Sequence, residues 1–554
     1  MTTALCGAWV IDGTGTDRRR ATVVVDGDAI VDVRPGDSPS HEDRAADAVV
    51  DLDGLVLAPG FIDPHTHYDA QVLWDRDLTP SSWHGVTTVV MGNCGFGIAP
   101  TRPEHRSTIM QTLENVEGMS LDALEAGLPW SFETYPEYLR AVAAEPTRLN
   151  VASMIGHTPL RTWAMGEDAT EREATASELE EMRRLVAEAL DVGAVGFSTS
   201  RSESHRGAHG LPVPSRAASR DEIFQLAGVL GSRGRGTVQS AWGPDLFVEE
   251  FAEMARETGR PVTWAALVAV KGHPELASSV AERVEVAGPG VYPQIACRPI
   301  VAQVTLADPA PFANVAAFGE ALARPRSARP DLYADPLWQR RAAEEMERLW
   351  TGKLAQATVQ ETRAHPDLRG GPTLGRMAES RGVTPLQVMV ELALAEDLAT
   401  RFRVVMANDD DDQIAALLNR DRFLLGLSDA GAHATQLCDA NFSTYLLSHW
   451  VRDRGDLTLE HAVWRLTGHP AEVFGLHGRG RIAPGLAADL VAFDPDTVEA
   501  GDLERVWDFP GESDRLISRS RGIHRVWVGG REIVRDGDLV EGSRPGRLLG
   551  PALS

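Results

Sequence analysis

His65 and His67 stand one residue apart at the end of a mostly apolar run over 55–64. In an extended strand, residues two apart project to the same side, so both imidazoles can reach one cation. The run is short and rich in Leu, Val and Ile, as a buried parallel strand requires. Two more residues with ligating side chains follow apolar stretches of the same kind. Cys94 comes at the end of 86–93, and Asp429 directly after 423–428. Imidazole and thiolate are borderline-to-soft ligands that select zinc over magnesium or calcium. Zinc with an open position lowers the pKa of a bound water to about 7, and a neighbouring carboxylate can pass that proton to a leaving nitrogen. Each residue alone has an ordinary reading: a polar turn for the histidines, a small buried hydrophobe for Cys94, a helix N-cap for Asp429. Their recurrence at strand ends argues for a joint role.

The elements that must position them alternate apolar strands with amphipathic helices, which predicts a parallel sheet. After the first run, strands are predicted over 86–93, 150–156, 194–199, 237–241, 262–268, 403–407 and 423–428. Eight strands are what a (β/α)8 TIM-like barrel needs, with its site at the C-terminal strand ends. Between the third and fourth strands, Thr175 and Glu178 form a capping box. Leu179, Met182, Val186 and Ala189 then share one helix face, and Gly193 ends it. Short strands at 7–13, 21–28 and 29–33 have the same character as those at 488–495 and 523–534, so both termini are expected to build one small β-sandwich domain. The expected layout is 1–54 and 478–554 for that domain and 55–477 for the barrel, with a helical insertion over about 300–400. The acidic run Asp409 to Asp412 reads as a solvated helix N-terminus.

Bulk composition narrows the partners. With 43% hydrophobic and 24% charged residues the 554-residue chain is globular, not disordered. A formal charge of −26 disfavours nucleic acid and anionic membranes as partners. Four scattered cysteines, no signal-peptide pattern and no apolar stretch of about 18 residues point to the cytoplasm. A small-molecule amide is the expected partner, with homo-oligomerisation left open.

Pro59-Gly60-Phe61-Ile62-Asp63-Pro64-His65-Thr66-His67 resembles the opening motif of the amidohydrolase superfamily. Gly85-Val86-Thr87-Thr88-Val89-Val90-Met91-Gly92-Asn93-Cys94-Gly95-Phe96 resembles the N-acyl-D-amino-acid deacylase (D-aminoacylase) branch. Similarity continues through Gly156-His157-Thr158-Pro159-Leu160-Arg161, Val291-Tyr292-Pro293, Ser428-Asp429 and the closing Ala487-Ala488-Asp489-Leu490-Val491. The resemblance implies a zinc hydrolase that removes an N-acyl group from a D-amino acid. It implies His65 and His67 as ligands of one site, Cys94 as a further or bridging ligand, and Asp429 as ligand and general base. Tyr292 is similar to the family's substrate-contacting tyrosine.

The sequence departs from this branch at the ends of strands five and six, where histidines hold a second metal. Ala241 and Ala266 stand there, so one zinc ion per chain is expected, with Gln239 and Trp264 filling the space. The final-strand clamp is altered too, reading His433-Ala434-Thr435-Gln436. Substrate contacts are therefore expected from His157, Arg201, His205, Tyr292 and His433, the loop arginine gripping a carboxylate and the loop histidine an acyl oxygen. Lys271, a candidate carboxylated lysine, lies beyond strand six. The alternatives left open are a cyclic-amide hydrolase, or a lyase, isomerase or binding protein on the same fold.

Overall fold

The computed structural model describes residues 2–36 and 46–550; the stretches 37–45 and 551–554 of the expected small domain lie outside the described residues. Eight parallel strands pair in the order Phe61–Asp63, Val86–Met91, Asn150–Gly156, Gly196–Ser200, Thr237–Ala241, Val262–Leu267, Val291–Ile295 and Leu424–Leu425. The second to fifth are buried along their whole length, because helices cover one face and the barrel interior the other. The helix Ala176–Asp191 has the expected capping box and buries Met182, Leu185, Val186 and Ala189. Closure between the last and first strands is carried just beyond both. Thr66 bridges Ala430, the His67 amide donates to the Ala430 carbonyl at 2.7 Å, and Ser428 Oγ donates to Asp63 Oδ2 at 2.6 Å.

The run 55–64 serves two sheets rather than one. Val56–Pro59 pairs with Leu490–Phe493 in a nine-stranded sheet, whereas Phe61–Asp63 opens the barrel. Gly60 makes the change of direction, and a Cβ there would lie 2.2 Å from the Thr87 side chain. The nine-stranded sheet joins the two ends of the chain, from Thr2–Val10, Arg19–Asp26 and Ala29–Pro35 to Ile523–Val528 and Arg531–Arg535.

One strand assignment is corrected. The stretch expected as the seventh barrel strand lies within Arg401–Ala407, which pairs antiparallel with Ile300–Val304 and Thr358–Glu361. The seventh place belongs to Val291–Ile295. An apolar run sets strand tendency but not its partner, and Pro293, which lacks an N–H, disguises the true strand. The small antiparallel sheet and the insertion's helices share a core of their own, around Phe312, Phe318, Trp338, Val359 and Leu386. A hairpin absent from the sequence reading, Glu499–Phe509 with Ser513–Arg521, reaches the barrel mouth. There the Leu516 amide donates to the Ala434 carbonyl at 2.7 Å. None of the described helices is long and apolar enough to cross a membrane.

Candidate metal centre

Strand alternation sets the arrangement at the mouth. Thr66 turns to the second strand, its Oγ1 donating to the Val90 carbonyl at 2.9 Å, so His65 and His67 on either side face the opposite way. Ligand atoms of His65, His67 and Cys94 all lie within 4.8 Å of one another, and all three residues are buried. Cys94 Sγ is 3.5 Å from His65 Nε2. Asp429 Oδ1 lies 3.3 Å from His65 Nε2 and 3.8 Å from His67 Nε2. Two ligands about 2.1 Å from a tetrahedral zinc lie about 3.4 Å apart, close to these three separations. The group mutually within 4.8 Å is His65, His67 and Cys94, with Asp429 at its edge. Asp429 differs from the others in exposure: its side chain is 36% accessible, against 1% and 4% for the imidazoles. It therefore faces the open side of the group. Beside it opens a small cleft lined by Gln71, Ala432, Leu437, Asp439, Phe509 and Arg515, among others.

The local backbone holds these groups in place. Cys94 and Asp429 both adopt left-handed conformations, with φ of 56° and 46°. The Cys94 amide donates to Gln239 Oε1 at 2.6 Å, and the Gly95 amide to Ser198 Oγ at 2.9 Å. Gln294 Oε1 is hydrogen-bonded to His65 Nδ1, which leaves His65 Nε2 free to ligate. Burial pushes the pKa of His65 below its ordinary value and that of His67 well below, so both rings are neutral and offer lone pairs. Burial, then the charges of Glu117 and Asp429, raise the Cys94 thiol well above its usual range. A thiolate there calls for a cation.

The remaining predicted residues divide. His205 and His433 join the cluster. His205 Nδ1 bonds Ser200 Oγ at 2.7 Å, its ring packs 5.2 Å from that of Phe96, and burial, then His433, lower its pKa to about 3. His433, partly buried, carries φ of 50°, and its amide donates to the Glu117 carbonyl at 2.5 Å. His157 has both ring nitrogens committed at 2.8 Å, to Thr199 Oγ1 and Glu222 Oε1. Arg201 is bound to Asp245 and to the carbonyls of Arg216 and Ala218 at 2.6 and 2.8 Å, so it braces its loop instead of gripping a ligand. Tyr292 sits near the N-terminal end of its strand, two residues or ~7 Å below Gln294. Its ring lies 6.1 Å from His469, at the end of the barrel remote from the mouth. The motif singled out this tyrosine, but neither its strand nor its height along the barrel was read from the sequence.

At the other positions of departure, Gln239 buttresses Cys94, while Trp264 is buried against Phe247 and Phe251. Lys271 is exposed, its amide donating to Asp409 Oδ1 at 3.0 Å. Among the described residues, His65, His67 and Cys94 form the single group of three or more potential ligands. Sequence reasoning missed Gln294 and Glu117. Glu117 ends the helix Arg106–Glu117, is 4% exposed, and places Oε1 3.5 Å from His67 Nδ1. An acid in the last helical turn opposes the macrodipole, and that mismatch was its one visible signal.

Comparison with known proteins agrees with this geometry. Residues 48–534 match the amidohydrolase family. D-aminoacylase of Alcaligenes xylosoxydans xylosoxydans is 32% identical over 98% of this chain and 96% of its own. The N-acyl-D-glutamate deacylase of Bordetella bronchiseptica, solved with zinc and a phosphonate mimic of the tetrahedral intermediate, superposes with a TM-score of 0.67 at 28% identity, covering 99% of both chains. A D-aminoacylase structure concerned with its binuclear metal centre, described by one-metal activation and second-metal attenuation, gives the same score, identity and coverage. The chain thus belongs to the amidohydrolase family, as a metal-dependent hydrolase of carbon–nitrogen bonds other than peptide bonds, close to the N-acyl-D-amino-acid deacylases.

Proposed function

We propose that this protein removes the acyl group from an N-acyl D-amino acid, using one zinc ion held by His65, His67, Cys94 and Asp429. The observation that carries the reading is the position of Asp429. Its Oδ1 lies within 3.8 Å of both imidazole Nε2 atoms, yet it is the one member of the set open to solvent. Zinc in such a donor set supplies Lewis acidity to the scissile carbonyl and lowers the pKa of water. Asp429 takes the proton from the attacking water and returns it to the departing amine nitrogen. His65 and His67 stay neutral throughout, and the buried walls around them keep bulk water from competing. Alanine at 241 and 266 supports a single ion. His205 and His433 line the approach and are the proposed substrate contacts, whereas His157, Arg201 and Tyr292 are assigned to scaffolding. Four buried cysteine thiols suit a reducing cytoplasm. We take 1–54 with 478–554, and 55–477, as the two domains.

The test is elemental analysis of purified protein, joined to a screen of N-acetyl and longer-acyl D- and L-amino acids beside cyclic amides. About one zinc per chain, chelator-sensitive turnover and preference for D-enantiomers are expected. Less than about half an equivalent of metal with chelator-insensitive turnover would overturn the metal reading. Turnover of cyclic amides alone would overturn the substrate.

A further inference from the structure

Each imidazole of the centre is backed by a side-chain oxygen at its Nδ1. Behind His65 that group is Gln294, an uncharged amide from the seventh strand. Behind His67 it is the Glu117 carboxylate, 3.5 Å from Nδ1. Glu117 is only 4% exposed, and a carboxyl group buried so deeply needs a polar partner whatever its charge. Among the described residues, the one basic side chain beside the Glu117 carboxyl is His67, whose Nδ1 lies 3.5 Å from Oε1. The helix end is fixed in place. Gly118 caps it in the left-handed conformation (φ 58°), its amide donating to the Leu113 carbonyl, and the Glu117 carbonyl accepts the His433 amide. One helix terminus therefore braces His67 through a side chain and the loop after Asp429 through the main chain. Glu117 faces the Nδ1 edge of the ring, whereas Asp429 faces the Nε2 edge.

We propose that Glu117 is the positioning residue of His67, accepting its Nδ1–H and so holding the ring in the tautomer and orientation that present Nε2 to the metal. This rests on the metal reading above. The role is distinct from that of Asp429, since Glu117 acts through His67 and never meets the substrate. It gives the two histidines unequal partners, a carboxylate for His67 and an amide for His65. A carboxyl oxygen that accepts from Nδ1–H fixes the ring of His67 and raises the basicity of its Nε2.

The experiment measures zinc affinity of apoprotein by competition with a chromophoric chelator. It is run for wild type, Glu117→Gln and Glu117→Met, with thermal unfolding of each apoprotein and the visible spectrum of each cobalt-loaded form. Removing such a partner weakens metal binding by about 10- to 100-fold. Glu117→Gln, which keeps an acceptor oxygen, is expected near the lower end and Glu117→Met near the upper. The cobalt bands are expected to shift, with no fall in apoprotein melting temperature. Should Glu117→Met fail to fold, Glu117→Gln carries the comparison. Zinc affinity of the variants within about threefold of wild type would overturn the role of Glu117. So would an affinity loss matched by an equal loss of apoprotein stability. Wild-type protein that takes up no zinc would instead overturn the metal reading itself.

Discussion

Replacing Asp429 by Asn isolates proton transfer from almost everything else in the centre. The substitution preserves shape and leaves an oxygen that can still approach a cation, but an amide cannot take up a proton. Loss of a general base lowers turnover by about 10²- to 10⁴-fold, equivalent to roughly 3–5 kcal/mol of transition-state stabilisation at 1.36 kcal/mol per decade. Folding should scarcely respond. The side chain is 36% accessible, and Asn tolerates the left-handed backbone at φ 46° as readily as Asp does. A stability change within about 0.5 kcal/mol is expected for such a site. Zinc should remain, because the His65, His67 and Cys94 donors are untouched. The assay is steady-state kinetics on the best N-acyl D-amino acid from the screen, with zinc content and urea unfolding measured on the same preparations. A kcat within fivefold of wild type at full zinc occupancy would refute the assignment of the base. Lost activity that returns with excess zinc would show that Asp429 serves as a ligand only.

Other outcomes follow from the same geometry. His65→Ala is expected to release zinc on gel filtration, and full occupancy in that variant would disprove its ligand role. Glu222→Ala leaves the fully buried Arg161 guanidinium without its carboxylate partner and should cost about 3–5 kcal/mol by urea unfolding, with any surviving activity showing an unchanged KM. Burial lowers the pKa of His84 to about 4, against 6.5 in an unfolded chain. Between those values the unfolded state binds the extra proton, so this contribution is intact above about pH 6.5 and is lost as the pH falls towards 4. Compared with His84→Gln, which does not titrate, the wild-type apoprotein should lose about 2 kcal/mol more between pH 7 and pH 5. Equal slopes for the two proteins would contradict this.

Much of the fold was legible because it is encoded locally. Seven of the eight barrel strands were found from apolar runs, and the helix Ala176–Asp191 from its capping box and apolar face. The exception is instructive. The seventh strand carries Pro293 and is only five residues long, while the stretch within Arg401–Ala407 has the better β pattern but pairs elsewhere. Strand tendency is local, whereas the choice of neighbour depends on which surfaces remain uncovered after the rest of the chain has packed. The small sheet was visible as similar punctuation at both ends, but the double service of 55–64 was not, since the pivot at Gly60 answers to Thr87 in another strand.

The sequence by itself determined the donor types and the fact that two of them share a side, because a period of two along an extended backbone is independent of context. It also placed Cys94 and Asp429 at strand ends, where a barrel brings distant segments to one mouth. Only the tertiary structure decided what stands behind each ligand. Gln294 is 229 residues from His65, and Gln239 is 145 residues from Cys94, separations at which no spacing rule operates. It likewise gave the nitrogens of His157 and Arg201 partners within the protein, and set the Tyr292 ring beside His469. The physical reason is the same in each case. A side chain's chemistry is fixed by its type, but its use is fixed by which polar groups are buried beside it, and that depends on the packing of the whole chain.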